Sequence, residues 1–152
     1  MKKKRVVIIS LLLLLVSVIG ISSYFLFKDK INLLDVDHSA VDWNGKKQKD
    51  TSGEENTIAI PGFEKVTLYA NETTQAVNFH NPEINDCYFK ISLIHPDGSV
   101  LWISDLIEPG KGMYSIELEK TLAVGEYENA VLKYECFSLN DQSPLNGSEI
   151  NL

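Results

Sequence analysis

The sequence predicts an all-β domain, a Greek-key sandwich of about seven to eight strands, carried behind one N-terminal transmembrane helix and a flexible linker. Three observations carry this expectation. Beyond residue 56 the chain breaks into short alternating runs separated by turn residues, with no helical periodicity. The longest of these, residues 125–139, alternates through most of its length. Ahead of them, Val6 to Phe27 is a stretch of 22 residues without a charge.

Taken in order, residues 1–5 form a basic tail, Lys2-Lys-Lys-Arg5, that the positive-inside rule keeps cytoplasmic. Residues 6–27, with Leu11–Leu15 and Val16 at their centre, are long enough as a helix to cross a hydrocarbon core of roughly 30 Å. The rival reading is a cleaved signal peptide. Gly20 and Ser22 offer a faint cleavage site, but Tyr24-Phe-Leu-Phe27 continues the apolar run past it, so an uncleaved anchor is expected. That places the C-terminal domain outside the membrane in a single-pass arrangement. No cysteine follows the segment to accept a lipid.

Residues 28–56 are polar and mixed in charge, and Lys46 to Asn56 lacks periodicity, which reads as a flexible spacer. Trp43 is out of place there; it docks on the domain, sits at the membrane interface or is simply exposed. Asp35, Asp37, His38 and Asp42 match no metal-binding loop, so no metal is expected.

Residues 57–152 form the expected sandwich. Ile58 and Ile60 precede Pro61-Gly62; Val66, Leu68 and Ala70 alternate with Lys65, Thr67 and Tyr69; Val77 and Phe79 follow. Cys87 to His95 places Cys87, Phe89, Ile91 and Leu93 on one face. Pro96-Asp-Gly98 predicts a hairpin turn into Val100–Asp105, because proline presets φ and glycine takes the positive φ. Glu108-Pro-Gly-Lys-Gly112 predicts another turn, with Tyr114, Ile116 and Leu118 alternating after it. In the central run Ala130, Leu132, Tyr134 and Cys136 face one way, with Val131, Lys133, Glu135 and Phe137 opposite. Asn140–Gly147 reads as a loop and Glu149–Leu152 as a short last strand.

Charge limits the partners. Residues 1–30 hold six Lys/Arg and one acid; taking these from the totals of 14 and 21 leaves 8 bases and 20 acids, a net of −12 beyond residue 30. Such a domain repels nucleic acid, whose binding depends on neutralising phosphates. His38, His80 and His95 lie in linker and loops away from any nucleophile motif, and Pro109-Gly-Lys-Gly112 precedes a strand rather than a phosphate-binding helix. No catalytic residue and no cofactor is expected.

Leu122-Ala-Val-Gly-Glu-Tyr-Glu-Asn-Ala130 resembles the lead-in to strand F of fibronectin type III and related immunoglobulin-like domains. The resemblance implies that Tyr127 is the corner tyrosine whose hydroxyl ties that corner to the strand. Tyr134-Glu-Cys136 is similar to the tyrosine-x-cysteine of antibody-type domains, although Trp102 falls one strand later than their tryptophan. The whole layout, with Ile60-Pro-Gly-Phe63 and Ser143 to Ile150, resembles small anchored surface proteins of Gram-positive bacteria, some of them from mobile or conjugative elements.

Two cysteines in an exported domain suggest one disulfide; a pair of buried thiols is the alternative. In the implied immunoglobulin-like order Cys87 opens strand C and Cys136 closes strand F, directly opposed in one sheet. A bridge there would stabilise by roughly 3–4 kcal/mol in the chain-entropy model. The expected function is a non-catalytic interaction or structural module that docks a protein partner; Glu149, Ile150, Asn151 and Leu152 mark the edge, because so short a last strand leaves backbone groups of its neighbour unpaired for a partner strand to complete the sheet. A glycan or wall-polymer module is the alternative, with Trp43 and Trp102, and beside them Tyr69 and Tyr88, as stacking residues.

Overall fold

A computed structural model describes residues 33–45 and 57–152. The expected basic tail and transmembrane helix lie outside the described residues, as do residues 28–32 and 46–56 of the expected linker. Leu34–Leu152 forms one compact unit. Seven strands build it: β1 (Val41–Asp42), β2 (Thr74–His80), β3 (Cys87–Ile94), β4 (Val100–Ile103), β5 (Lys111–Glu117), β6 (Val131–Ser138) and β7 (Pro144–Asn151). They pair antiparallel into a three-stranded sheet, β1-β5-β2, and a four-stranded sheet, β4-β3-β6-β7. No helix occurs among the described residues.

The central run is an inner strand, paired on one side with β3 and on the other with β7. Ladder pairing of β6 starts at Val131, and its Leu132, Tyr134 and Cys136 are buried, as is Ala130 just before it. The adjacent β3 buries Cys87, Phe89, Ile91 and Leu93, the face expected from period two. Phe79, Met113 and Ile116 of the three-stranded sheet join them in one core, where Phe79 meets Trp102 at 5.9 Å between ring centroids.

Both expected turns form. Gly98 takes φ +85° between β3 and β4, where the Gly98 N–H bonds the His95 carbonyl. Glu108-Pro-Gly-Lys111 is a type II turn: proline at its second position, Gly110 at φ +76°, and the Lys111 N–H bonded to the Glu108 carbonyl at 3.1 Å.

Three expectations need correction. First, the runs at 57–60 and 65–70 are not ladder strands. Their Ile58, Ile60, Val66 and Leu68 do pack on the core, but their backbone is held by side-chain amides. The Gln75 amide takes both the N–H and the C=O of Tyr69, at 2.6 and 2.9 Å, and the Asn85 amide does the same for Ala59, at 2.8 and 2.9 Å. A carboxamide offers one acceptor and two donors, so it imitates one rung of a ladder without a second strand.

Second, residues 34–44, expected as spacer, are folded onto the domain. Val41–Asp42 pairs with Gly112–Lys111, the Leu106 N–H bonds the Asp35 carbonyl, and Gln142 brackets Leu34 in the same two-bond manner, at 2.6 and 3.0 Å. Third, β5 does not keep a single period. Ile116 and Leu118 are buried but Tyr114 is exposed and Met113 buried; the break falls where Val77 and Asn78 of β2 stand opposite Tyr114, between the Ala76↔Ser115 and Phe79↔Met113 pairs.

Candidate functional site

The last strand is longer than alternation suggested. β7 runs from Pro144, so the expected loop at 140–147 shrinks to the turn after β6. What hid its first half is Asn146-Gly147, which breaks the alternation and forms a bulge. Tyr134 pairs with Ser148 and Cys136 with Leu145, so two β7 residues stand opposite Glu135. Gly147 is required at this point: a Cβ there would lie 2.3 Å from the Tyr134 carbonyl oxygen. Beside the bulge a shallow groove of about 410 Å³ opens along β6 and β7.

Beyond the bulge the register is straight, from Tyr134↔Ser148 to Val131↔Asn151. The Leu152 N–H bonds the Ala130 carbonyl at 2.9 Å. Alternate residues of an antiparallel strand turn their backbone groups to opposite sides, so Ser148 and Ile150 also bond inward to β6. The N–H and C=O of Glu149 and Asn151 therefore point off the sheet. No described strand pairs with them, since β7 is the outer strand. Among the described residues, the expected edge residues Glu149, Ile150, Asn151 and Leu152 thus lie at an open edge, though that edge belongs to the last strand itself and not to its neighbour.

Side chains on this edge divide by face. Ile150 and Leu152 pack partly on the core, while Glu149 is exposed opposite Lys133. The Lys133 ammonium is 3.4 Å from Glu135 on its own strand. Glu149 has no ionic partner among the described residues. The other sheet edges are less open. β4 has four residues and β1 two; β2 is broken by its bulge and bordered by Tyr69, which Gln75 holds.

The four aromatic residues named for ligand stacking do not form one platform. Trp102 is 8% exposed and belongs to the core. Trp43 docks on the three-stranded sheet: its ring lies 3.9 Å from the His80 ring at 3° and 5.5 Å from Tyr114 at 10°. Tyr114 also donates from its hydroxyl to Asn44 Oδ1 at 2.7 Å, closing the strap over the stack. His80, read from the sequence as a loop histidine, belongs to this site; it is buried, and burial lowers its pKa. Tyr69 is exposed and Tyr88 half-buried, and neither contacts the Trp43 stack through a ring.

Cys87 and Cys136 are buried on the shared core face as free thiols. They are not directly opposed. Cys87 pairs with Ser138 and Cys136 with Phe89, one step apart on the diagonal. Contact with Cys136 lowers the Cys87 pKa, while the same contact and burial push the Cys136 thiol up. The Tyr127 hydroxyl donates to the Ala123 carbonyl at 2.9 Å, four residues upstream and ahead of β6. Among the described residues no three His, Cys, Asp or Glu side chains gather as metal ligands.

Comparison with protein families, curated proteins and solved structures finds no match to this chain.

Proposed function

We propose that this chain is a non-catalytic, membrane-anchored extracytoplasmic module whose immunoglobulin-like sandwich docks a protein partner by strand addition at β7, as part of a surface or secretion assembly. The observation that carries the reading is the open backbone of Glu149 and Asn151 on the straight stretch of the edge strand β7 beyond its bulge. An extended segment laid there gains main-chain hydrogen bonds at once, and side-chain pockets on either face supply selectivity. Two features support the immunoglobulin-like part. Successive strands cross between the sheets, so that β2 pairs with β5 and β3 with β6 in a Greek-key order. The Tyr127 bond to Ala123 has the form of the tyrosine corner found before strand F. The anchor rests on the uncharged run at residues 6–27 and its basic flank.

Glycan stacking has less behind it, because Trp102 is interior and one face of Trp43 is taken up by His80.

Site-specific photocrosslinking of the full chain in intact cells tests the proposal. A benzophenone side chain at Asn151, on the β7 edge, is expected to give a discrete protein adduct; the same probe at Ile103, on the β4 edge, is not. Equal labelling from both positions, or none from Asn151 in a chain that keeps Trp102 shielded from quencher, would overturn it.

A further inference from the structure

The open edge also specifies the chemistry of what it takes, and this inference rests on the strand-addition reading above. Three observations bear on it. Glu149 and Asn151 present outward N–H and C=O groups, so an added strand would form a hydrogen-bonded pair at Glu149, with Cα atoms about 5.5 Å apart and side chains on the same face. The Glu149 carboxylate is exposed and without an ionic partner among the described residues; Lys133, opposite it on β6, sits 3.4 Å from Glu135. On the other face Ile150 and Leu152 are only partly covered by the core they pack on. The chain beyond residue 30 carries a net charge of −12.

We propose that the partner segment is an extended strand alternating basic and apolar residues, with a lysine or arginine directly across from Glu149 and apolar side chains laid against Ile150 and Leu152. The argument is one of satisfaction on both faces at once. Like charges directly opposite on neighbouring strands destabilise a sheet, so an acidic strand meets Glu149 unfavourably, whereas a basic residue supplies the ion pair Lys133 does not. Apolar residues on the opposite face remove the exposed flanks of Ile150 and Leu152 from water. The long-range field acts in the same direction, since a strongly acidic surface raises the rate at which basic segments arrive. The straight register spans Ser148 to Asn151, so recognition is concentrated in about four residues of the incoming strand.

The test uses the full chain in detergent micelles, with two synthetic pentapeptide probes, one alternating valine with lysine and one alternating valine with glutamate. Backbone amide exchange at Glu149 and Asn151 reads strand addition, and titration reads affinity. The lysine peptide is expected to slow exchange at both amides and to weaken as salt is raised, while the glutamate peptide binds less tightly. Glu149→Gln is expected to lower lysine-peptide affinity about 2–5-fold, the scale of one exposed ion pair. Glu149→Lys is expected to reverse the preference between the two probes. If both peptides protect the edge equally, or Glu149→Lys leaves the preference unchanged, the charge specificity is wrong while strand addition stands. If neither peptide protects those amides although the chain stays folded, strand addition at β7 fails with it.

Discussion

Replacing Gln75 by leucine removes a clamp that no strand supplies. The Gln75 side chain is fully buried and makes three bonds: Oε1 accepts from the Tyr69 N–H at 2.6 Å, and Nε2 donates to the carbonyls of Tyr69 and Glu72 at 2.9 and 2.7 Å. Leucine keeps much of the volume but leaves one backbone donor and two acceptors without their partner. Each bond contributes about 1 kcal/mol net, and an orphaned buried group costs about 1–3 kcal/mol. Tyr69 and Glu72 are themselves exposed residues, so water relieves part of that cost. A loss of about 2–3 kcal/mol results, equivalent to a fall in Tm of roughly 6–15 °C for a domain of this size. Urea unfolding followed by Trp102 emission measures it, with the exposed neighbour Ala76→Ser as a control expected within about 0.5 kcal/mol of wild type. A Gln75→Leu midpoint indistinguishable from wild type would refute the idea that the amide substitutes for a ladder rung.

Trp43→Ala removes two ring stacks, each contributing about 0.5–1.5 kcal/mol beyond area burial, so a loss of about 1–3 kcal/mol is expected, with faster amide exchange at Val41 and Asp42; an unchanged midpoint would contradict docking of residues 34–44. Burial lowers the His80 pKa below its ordinary 6.5, so the unfolded chain binds the extra proton first. Stability is therefore full above pH 6.5 and declines as pH falls through 6.5 towards the lower folded value, a slope that His80→Gln is expected to flatten in urea midpoints taken from pH 7.5 to 5.5. Gly147→Ala sets a Cβ against the Tyr134 carbonyl, and the β7 amides are expected to exchange at least tenfold faster while those of β3 do not; equal protection of both strands would remove the bulge from the account.

The legible parts of the fold were those whose cause is local. Pro96-Asp-Gly98 and Glu108-Pro-Gly-Lys111 name their own turns because proline and glycine fix φ within four residues. The core faces of β3 and β6 follow from period two because both strands lie inside one sheet. What sequence alone hides is pairing at a distance. Gln142 holds Leu34 across 108 residues, and Asn85 holds Ala59 across 26, by side chains that leave no periodic trace. Residues 34–44 read as spacer for that reason, since a two-residue strand has no pattern to recognise. In β7 the bulge at Asn146-Gly147 erased the alternation of the first half. Trp43 stands out in the sequence by its chemistry, but nothing local marks His80 as its partner, because the stack depends on the pairing of β1 and β2 with β5.

The most direct measurement is capture by a chain carrying Glu149→Pro. The Glu149 N–H points away from β6, so proline there deletes a donor on the open edge and leaves the β6–β7 ladder bonds in place. In cells expressing the benzophenone probe at Asn151, the Glu149→Pro chain is expected to fold, with Trp102 still shielded, and to lose the protein adduct. An undiminished adduct from that folded variant would contradict strand addition at β7.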